Sequence, residues 1–230
     1  MKVKLGKQKT TMTLVEQAKA DIRLYLDSPN GELLFNERDL QMHLALHLIG
    51  TRHYGDVDVE YYVPNKELHG YIWENELKLD ILLRKGDEFL PVELKYKTKK
   101  HSKQLTRFNE HLEKPVDVLK NQGAQDLGMY DFWKDVRRVE LVRNRFSAVK
   151  NGLAVFVTND KQYLSTTRKT SNNYLLSMEE GKHGTIKHWQ QPESTCAQTH
   201  PDFDLEKEYT IKWNHNAYEG VDFHYCIVEI

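Results

Sequence analysis

Apolar residues recur at Leu14, Ala18, Ile22 and Leu26, the spacing that puts one face of a helix over 13–26 against a core. Ser28-Pro29-Asn30-Gly31 follows with turn residues that stop it. A second helix is predicted over 37–49, with Asn36 as N-cap, Leu40, Leu44 and Leu48 on one face, and Gly50 closing it. Glu37 stands one turn before Leu40 and is placed on that buried face. The pattern then shortens to strands at 57–63, 77–84 and 89–98, the last two joined by Lys85-Gly86-Asp87-Glu88 as a hairpin.

From about residue 101 to 145 the spacing reads as helical, with Val116, Leu119, Gly123, Leu127 and Tyr130 along one face and Val136, Val139 and Val142 further on. Pro115 is expected to separate a short helix from a long one. Leu153-Ala154-Val155-Phe156-Val157 is an unbroken apolar run, as in a strand buried on both faces. Strand, helical crossover and strand make a βαβ unit, so the fold class is α/β with a mixed sheet flanked by helices. The stretch 165–220 is polar and turn-rich, with a candidate strand at 208–213, and 223–230 reads as a closing strand.

Composition narrows the class. Hydrophobic residues make up 39% and charged residues 29%, which suits a globular chain of one domain over 1–230. No stretch reaches the roughly 18 apolar residues a spanning helix requires, and Met1 to Thr11 is polar and lysine-rich, unlike a secretory signal. A cytoplasmic location without a membrane partner is therefore expected. Cys196 and Cys226 are too few for a disulfide framework or a four-ligand zinc site and are read as free thiols. With 33 basic residues against 34 acidic ones, overall charge gives no argument for a nucleic-acid partner. Local charge does: Lys95, Lys97, Lys99, Lys100, Lys103 and Arg107 occur between residues 95 and 107 with no acid among them.

That cluster follows directly on two carboxylates. A two-residue turn at Gly86-Asp87 sets Asp80 opposite Glu93, with Cβ atoms about 4.5–5.5 Å apart. Like charges so placed destabilise a sheet unless a cation joins them, and Leu79, Ile81, Leu82, Val92 and Leu94 surround both with apolar neighbours. Mg²⁺ answers the problem, since it takes one or two carboxylates and keeps several waters. Period-two alternation puts Lys95 on the same face as Glu93, about 6.6–6.8 Å along the strand, within reach of the same substrate. Such an amine can orient a water, help remove its proton, or stabilise charge growing on phosphate. Glu37 is a further candidate carboxylate from the helix start.

An acid ending one strand, followed by Glu93-Leu94-Lys95 in the next, resembles the PD-(D/E)XK phosphodiesterase superfamily. Leu79 stands where the superfamily's name has proline, a departure many members share. The resemblance covers roughly residues 36–158 and implies a restriction-endonuclease-like core; it is silent about the rest, where about 159–230 is read as a C-terminal β-containing elaboration. It further implies a Mg²⁺-dependent nuclease (Mn²⁺ substituting) that hydrolyses phosphodiester bonds, in DNA by family habit, within foreign-DNA defence or DNA processing. By the same resemblance Asp80, Glu93 and the Leu94 backbone carbonyl hold metal, with Glu37 as a further ligand and Lys95 as the catalytic lysine. RNA is not excluded, and a homodimer is left open.

Other signals weigh less. His43 and His47 lie four apart, but Leu44 stands where a zinc protease would carry glutamate. Glu60 is an acid inside a strand and ranks below Glu37. Gln122 and Gln125 fall on the long helix after the motif, where some family members contact phosphate. Tyr130, Phe132 and Trp133 read as core in preference to base-stacking residues. Two rivals stay open: a catalytically silent nucleic-acid-binding module of the same fold, and a protein-interaction subunit offering 223–230 as a sheet edge.

Overall fold

The computed structural model describes residues 12–28 and 33–230. The lysine-rich start and the turn residues Pro29, Asn30 and Gly31 lie outside the described residues. Helix α1 (Leu14–Leu26) begins on a capping box, in which Thr13 Oγ1 accepts the Glu16 N–H and the Glu16 carboxylate accepts the Thr13 N–H. Helix α2 (Glu37–Thr51) starts where Asn36 Oδ1 accepts the Asp39 N–H at 3.0 Å. It runs through Gly50, which does not close it; the left-handed closing residue is Arg52, at φ 59°.

Among the described residues six strands form one mixed sheet. They are β1 (Asp56–Val63), β2 (Leu77–Lys85), β3 (Glu88–Lys97), β4 (Leu153–Thr158), β5 (Asn214–Tyr218) and β6 (Val221–Glu229), in the order β1-β2-β3-β4-β6-β5. Only β3 and β4 run parallel, joined by the crossover helix α3 (Gln125–Arg145); the other pairs are antiparallel. The β2–β3 turn is the expected tight one, with Lys85 paired to Glu88 and Gly86 at φ 62°, a conformation glycine adopts without steric cost. Every residue of β4 is buried, as its unbroken apolar run requires.

The sheet separates two cores. On one face Ile22, Leu40, Leu44 and Leu48 of α1 and α2 pack on Leu90, Val92, Leu94 and Val155. On the other, α3 packs Phe132, Trp133, Val136 and Val139 on Leu79, Ala154 and Phe156, and Trp189, Phe203 and Tyr209 from the C-terminal part complete the layer. Tyr130, Phe132 and Trp133 are thus core residues. Cys196 and Cys226 are free thiols. Among the described residues no helix is long and apolar enough to cross a membrane.

Two sequence expectations are corrected and a third is shortened. The stretch 101–124 is not helical: His101–Lys103 pairs with Val116–Leu119 and Thr106–Arg107 with Glu110–His111, giving a β-ribbon arm. Alternation of half-buried and exposed residues from His101 to Thr106 carries the two-residue period of a strand, which outweighed the sparse apolar spacing. Val116 and Leu119 therefore belong to the arm, and the long helix begins only at Gln125. The candidate strand at 208–213 is short, Tyr209–Ile211, and lies outside the main sheet. The closing strand β6 is interior, covered on its free side by β5, so it offers no edge to a partner.

The join between layers is tight at Gly152, whose N–H and C=O exchange hydrogen bonds with Ile230 at 3.0 and 2.9 Å. A Cβ there would overlap Val139 Cγ1 and press on Pro91 Cγ at 3.3 Å. Gly152→Ala is expected to cost about 1–3 kcal/mol by overpacking, read from urea unfolding; unchanged stability would show that α3 yields freely at this point.

Candidate functional site

Pairing between β2 and β3 stops at Ile81 and Val92, one residue before the expected Asp80–Glu93 pair. The cause lies on the other side of β2. The β1–β2 register runs from Asp56–Arg84 to Val59–Ile81, skips one position, and resumes at Tyr61–Leu79, with Glu60 at φ 53°. The register is the same on both sides of this unpaired position, but the faces change: Ile81 and Leu83 pack with α1 and α2, whereas Leu77 and Leu79 pack with α3. Gln41, one turn after Glu37 on α2, fixes the break. Its Nε2 donates to the Asp80 carbonyl at 2.8 Å and to Glu60 Oε1 at 3.1 Å.

Once β2 has turned away, the β3 amides that faced it need other acceptors. The Leu94 N–H donates to Asp80 Oδ2 at 2.6 Å and the Tyr96 N–H to Glu37 Oε2 at 2.8 Å. Two carboxylates from two elements are thereby drawn to one edge of β3. N–H and C=O of a strand residue point to the same neighbour, so the Leu94 carbonyl opens into the same gap.

Glu93 and Lys95 share the face of β3 toward α3, as alternation predicted. Glu93 is 4% exposed, the neighbouring Asp80 adds to the upward shift of its proton affinity, and its Oε1 has no hydrogen-bond partner among the described residues. Lys95 Nζ lies 2.6 Å from Asp135 Oδ2 on α3, 3.1 Å from the Leu94 carbonyl oxygen and 4.0 Å from Glu37 Oε1. Asp135 in turn meets Arg138 at 3.4 Å.

Burial is the largest influence on both central acids. It pushes Asp80 up to about 6, against relief from Lys95 and the Leu94 N–H. It also holds the Glu93 proton well above the usual carboxylate range, with Asp135 and Asp80 adding to the effect. For Lys95 burial favours proton loss, but Asp135, Glu37, Asp80 and Glu93 together outweigh it and keep the ammonium well above the ordinary lysine range.

Among the described residues no three His, Cys, Asp or Glu side chains gather in metal-holding geometry. What the gap contains is an oxygen set: the Asp80 and Glu93 carboxyls, one oxygen of which is buried without a partner, and the Leu94 carbonyl. A hard cation such as Mg²⁺, which uses one or two carboxylates and keeps its waters, fits that set.

The other predicted residues divide. Glu37 reaches the gap, although it is partly exposed and not on a buried face, because it sits at the open first turn of α2. Glu60 joins through Gln41. His47 hydrogen-bonds the Asp21 carbonyl at 3.1 Å and lies against Tyr25. The basic residues do not form a helical patch, since they lie on and beside the arm, and most are paired: Lys99 with Asp160, Lys100 with Asp117, Lys103 with Glu219. Lys97 and Arg107 have no ion pair among the described residues. Gln122 lies before α3, where its Oε1 accepts the Thr98 N–H, and Gln125 donates to Asp160 in the first turn.

Sequence reasoning missed Asp135 and Gln41. Both had a signal: Asp135 lies between Phe132, Val136 and Val139 on an apolar helix face, where an unpaired charge is costly, and Gln41 follows Glu37 by one turn. No family model, curated protein or solved structure matches the chain.

Because folding raises the Asp80 proton affinity from 3.8 to about 6, the folded state binds this proton more tightly than the unfolded chain. Its contribution to stability therefore falls as pH rises through 4 to 6, by on the order of 2–3 kcal/mol. In chelator, Asp80→Asn is expected to gain stability relative to wild type across that window, measured by urea unfolding at stepped pH. Parallel profiles would show that Asp80 is not desolvated.

Proposed function

We propose that this chain is a divalent-metal-dependent nuclease with a restriction-endonuclease-like core, hydrolysing phosphodiester bonds in nucleic acid and above all in DNA. The observation that carries the reading is the buried Glu93 carboxyl, an oxygen of which lacks a partner among the described residues, together with the electrostatic influence of Asp80 on it. Native folds rarely leave such a group unsatisfied, and a cation is its simplest complement.

In this reading Asp80, Glu93 and the Leu94 carbonyl hold Mg²⁺ or Mn²⁺, with Glu37 beside them. The ion supplies Lewis acidity and a water of lowered pKa. Lys95 acts as a fixed cation: Asp135 and its neighbours hold its proton, which suits it to neutralise charge developing on phosphate and not to abstract a proton. Gln41 positions Asp80 by holding the strand break open. Lys97 and Arg107 remain as candidate phosphate contacts, the other basic residues being neutralised within the protein. The preference for DNA rests on the resemblance of Asp80 and Glu93-Leu94-Lys95 to the superfamily motif.

One observation favours a second reading, a non-catalytic nucleic-acid-binding module. Asp80 and Glu37 already have work as acceptors for the Leu94 and Tyr96 amides, so a fold with parted strands would keep them without chemistry.

Incubation with plasmid, linear duplex, single-stranded DNA and RNA in Mn²⁺ separates the two. Wild type is expected to cleave DNA, Asp80→Ala to lose cleavage, and Lys95→Ala to lose roughly 100-fold or more of the rate, the scale of a removed transition-state donor. Nucleic acid bound equally well in chelator, with no cleavage in metal, would favour the binding module. Cleavage undiminished in both variants would contradict the nuclease reading.

A further inference from the structure

The arm ends in a feature that the site does not use. Thr106–Arg107 and Glu110–His111 are joined by Phe108 and Asn109, at φ 50° and 68°. Two-residue turns with positive φ at both positions favour Asn and Gly, and a bulky residue there is strained. Phe108 nevertheless occupies the first position, and its side chain is 98% exposed. A strained position that holds an aromatic ring wholly in water gives nothing to the fold, so its use is sought outside the chain.

The surroundings indicate what that use is. Arg107 stacks its guanidinium over the Phe35 ring at 5.5 Å, and Phe35 is itself exposed. A cleft of about 520 Å³ lies between the arm and Phe35, lined by Leu33, Phe35, Lys103, Thr106 and Arg107, with Glu219 neutralising Lys103. Phe35 stands two residues before Glu37, and its N–H donates to Asp39 Oδ2 at 3.1 Å in the first turn of α2. Phe108 and Arg107 are thus neighbours at the tip of the arm, Arg107 lies over Phe35, and Phe35 precedes the candidate-site Glu37 by two residues. The open Phe108 ring, beside a guanidinium with no ion pair within 4.0 Å among the described residues, matches an unstacked base on a phosphate backbone.

We propose that this arm is a binding site for single-stranded nucleic acid, in which Phe108 stacks on an unpaired base and Arg107, held by Phe35, contacts the adjoining phosphate. This names the substrate class of the proposed nuclease, single-stranded or locally opened DNA, and rests on that reading only for the cut that follows. A duplex keeps its bases stacked on each other and presents only its backbone to such a tip.

The test uses the full chain in EDTA, with a fluorescein-labelled 20-nucleotide single strand and its duplex, read by anisotropy. Phe108→Ala is expected to weaken single-strand binding by roughly 5- to 150-fold, the scale of one stacked base, and to leave duplex binding unchanged. Phe108→Trp is expected to restore it, and 2-aminopurine in the strand to be quenched by wild type and not by the alanine variant. Unchanged single-strand binding in Phe108→Ala overturns the proposal, as does equal loss for strand and duplex. Binding that depends on Phe108 but is seen only with anionic vesicles overturns it too. Asp80-dependent cleavage unaffected by Phe108→Ala would remove the arm and leave the nuclease; Phe108-dependent binding without cleavage would do the reverse.

Discussion

The site depends on the parting of β2 from β3 at Asp80. A continuous ladder would satisfy the β3 amides with β2 carbonyls and leave the carboxylates no reason to turn inward. The break at Glu60 and Asp80, fixed by Gln41, removes those carbonyls, and the Leu94 and Tyr96 amides then recruit the carboxylates of Asp80 and Glu37. One backbone irregularity both completes the hydrogen bonding of β3 and collects negative charge at a single place. Across the same break the odd-numbered residues of β2 change sides, Leu77 and Leu79 serving the α3 core and Ile81 and Leu83 the other.

Electrostatics follow from that collection. Asp80, Glu93, Asp135 and Glu37 surround one ammonium, and burial sharpens every interaction among them. Lys95 cannot neutralise all four, so the proton affinities of Asp80 and Glu93 rise until burial and mutual repulsion are relieved. In the proposed reading a divalent cation would relieve the same excess, linking the orphaned oxygen on Glu93 to the raised proton affinity of Lys95.

Much of this was legible in the sequence where local rules govern. Gly86-Asp87 set the hairpin register, alternation put Glu93 and Lys95 on one face, and the apolar run 153–157 marked the buried parallel strand. Where the outcome depended on partners distant in sequence, legibility ended. The Glu60–Asp80 break answers to Gln41 on another element, and no periodicity announces it. Residues 101–119 pair in short ribbons of two to four residues, too brief for alternation to stand out from occasional helical spacing. Asp135 was visible as an acid on an apolar helix face, but only the packing of α3 on β3 shows that Lys95 is its partner.

The acids at the gap are proposed to form one cation site which exchanges protons for metal. Calorimetric titration of Mn²⁺ into the full chain at pH 6, in two buffers of different ionisation heat, tests it most directly. Binding is expected to release protons, because burial raises the proton affinity of Asp80 to about 6 and that of Glu93 well above the usual carboxylate range, and Glu93→Gln is expected to lose that binding. Absence of binding at millimolar Mn²⁺, or binding that Glu93→Gln leaves intact, would contradict it.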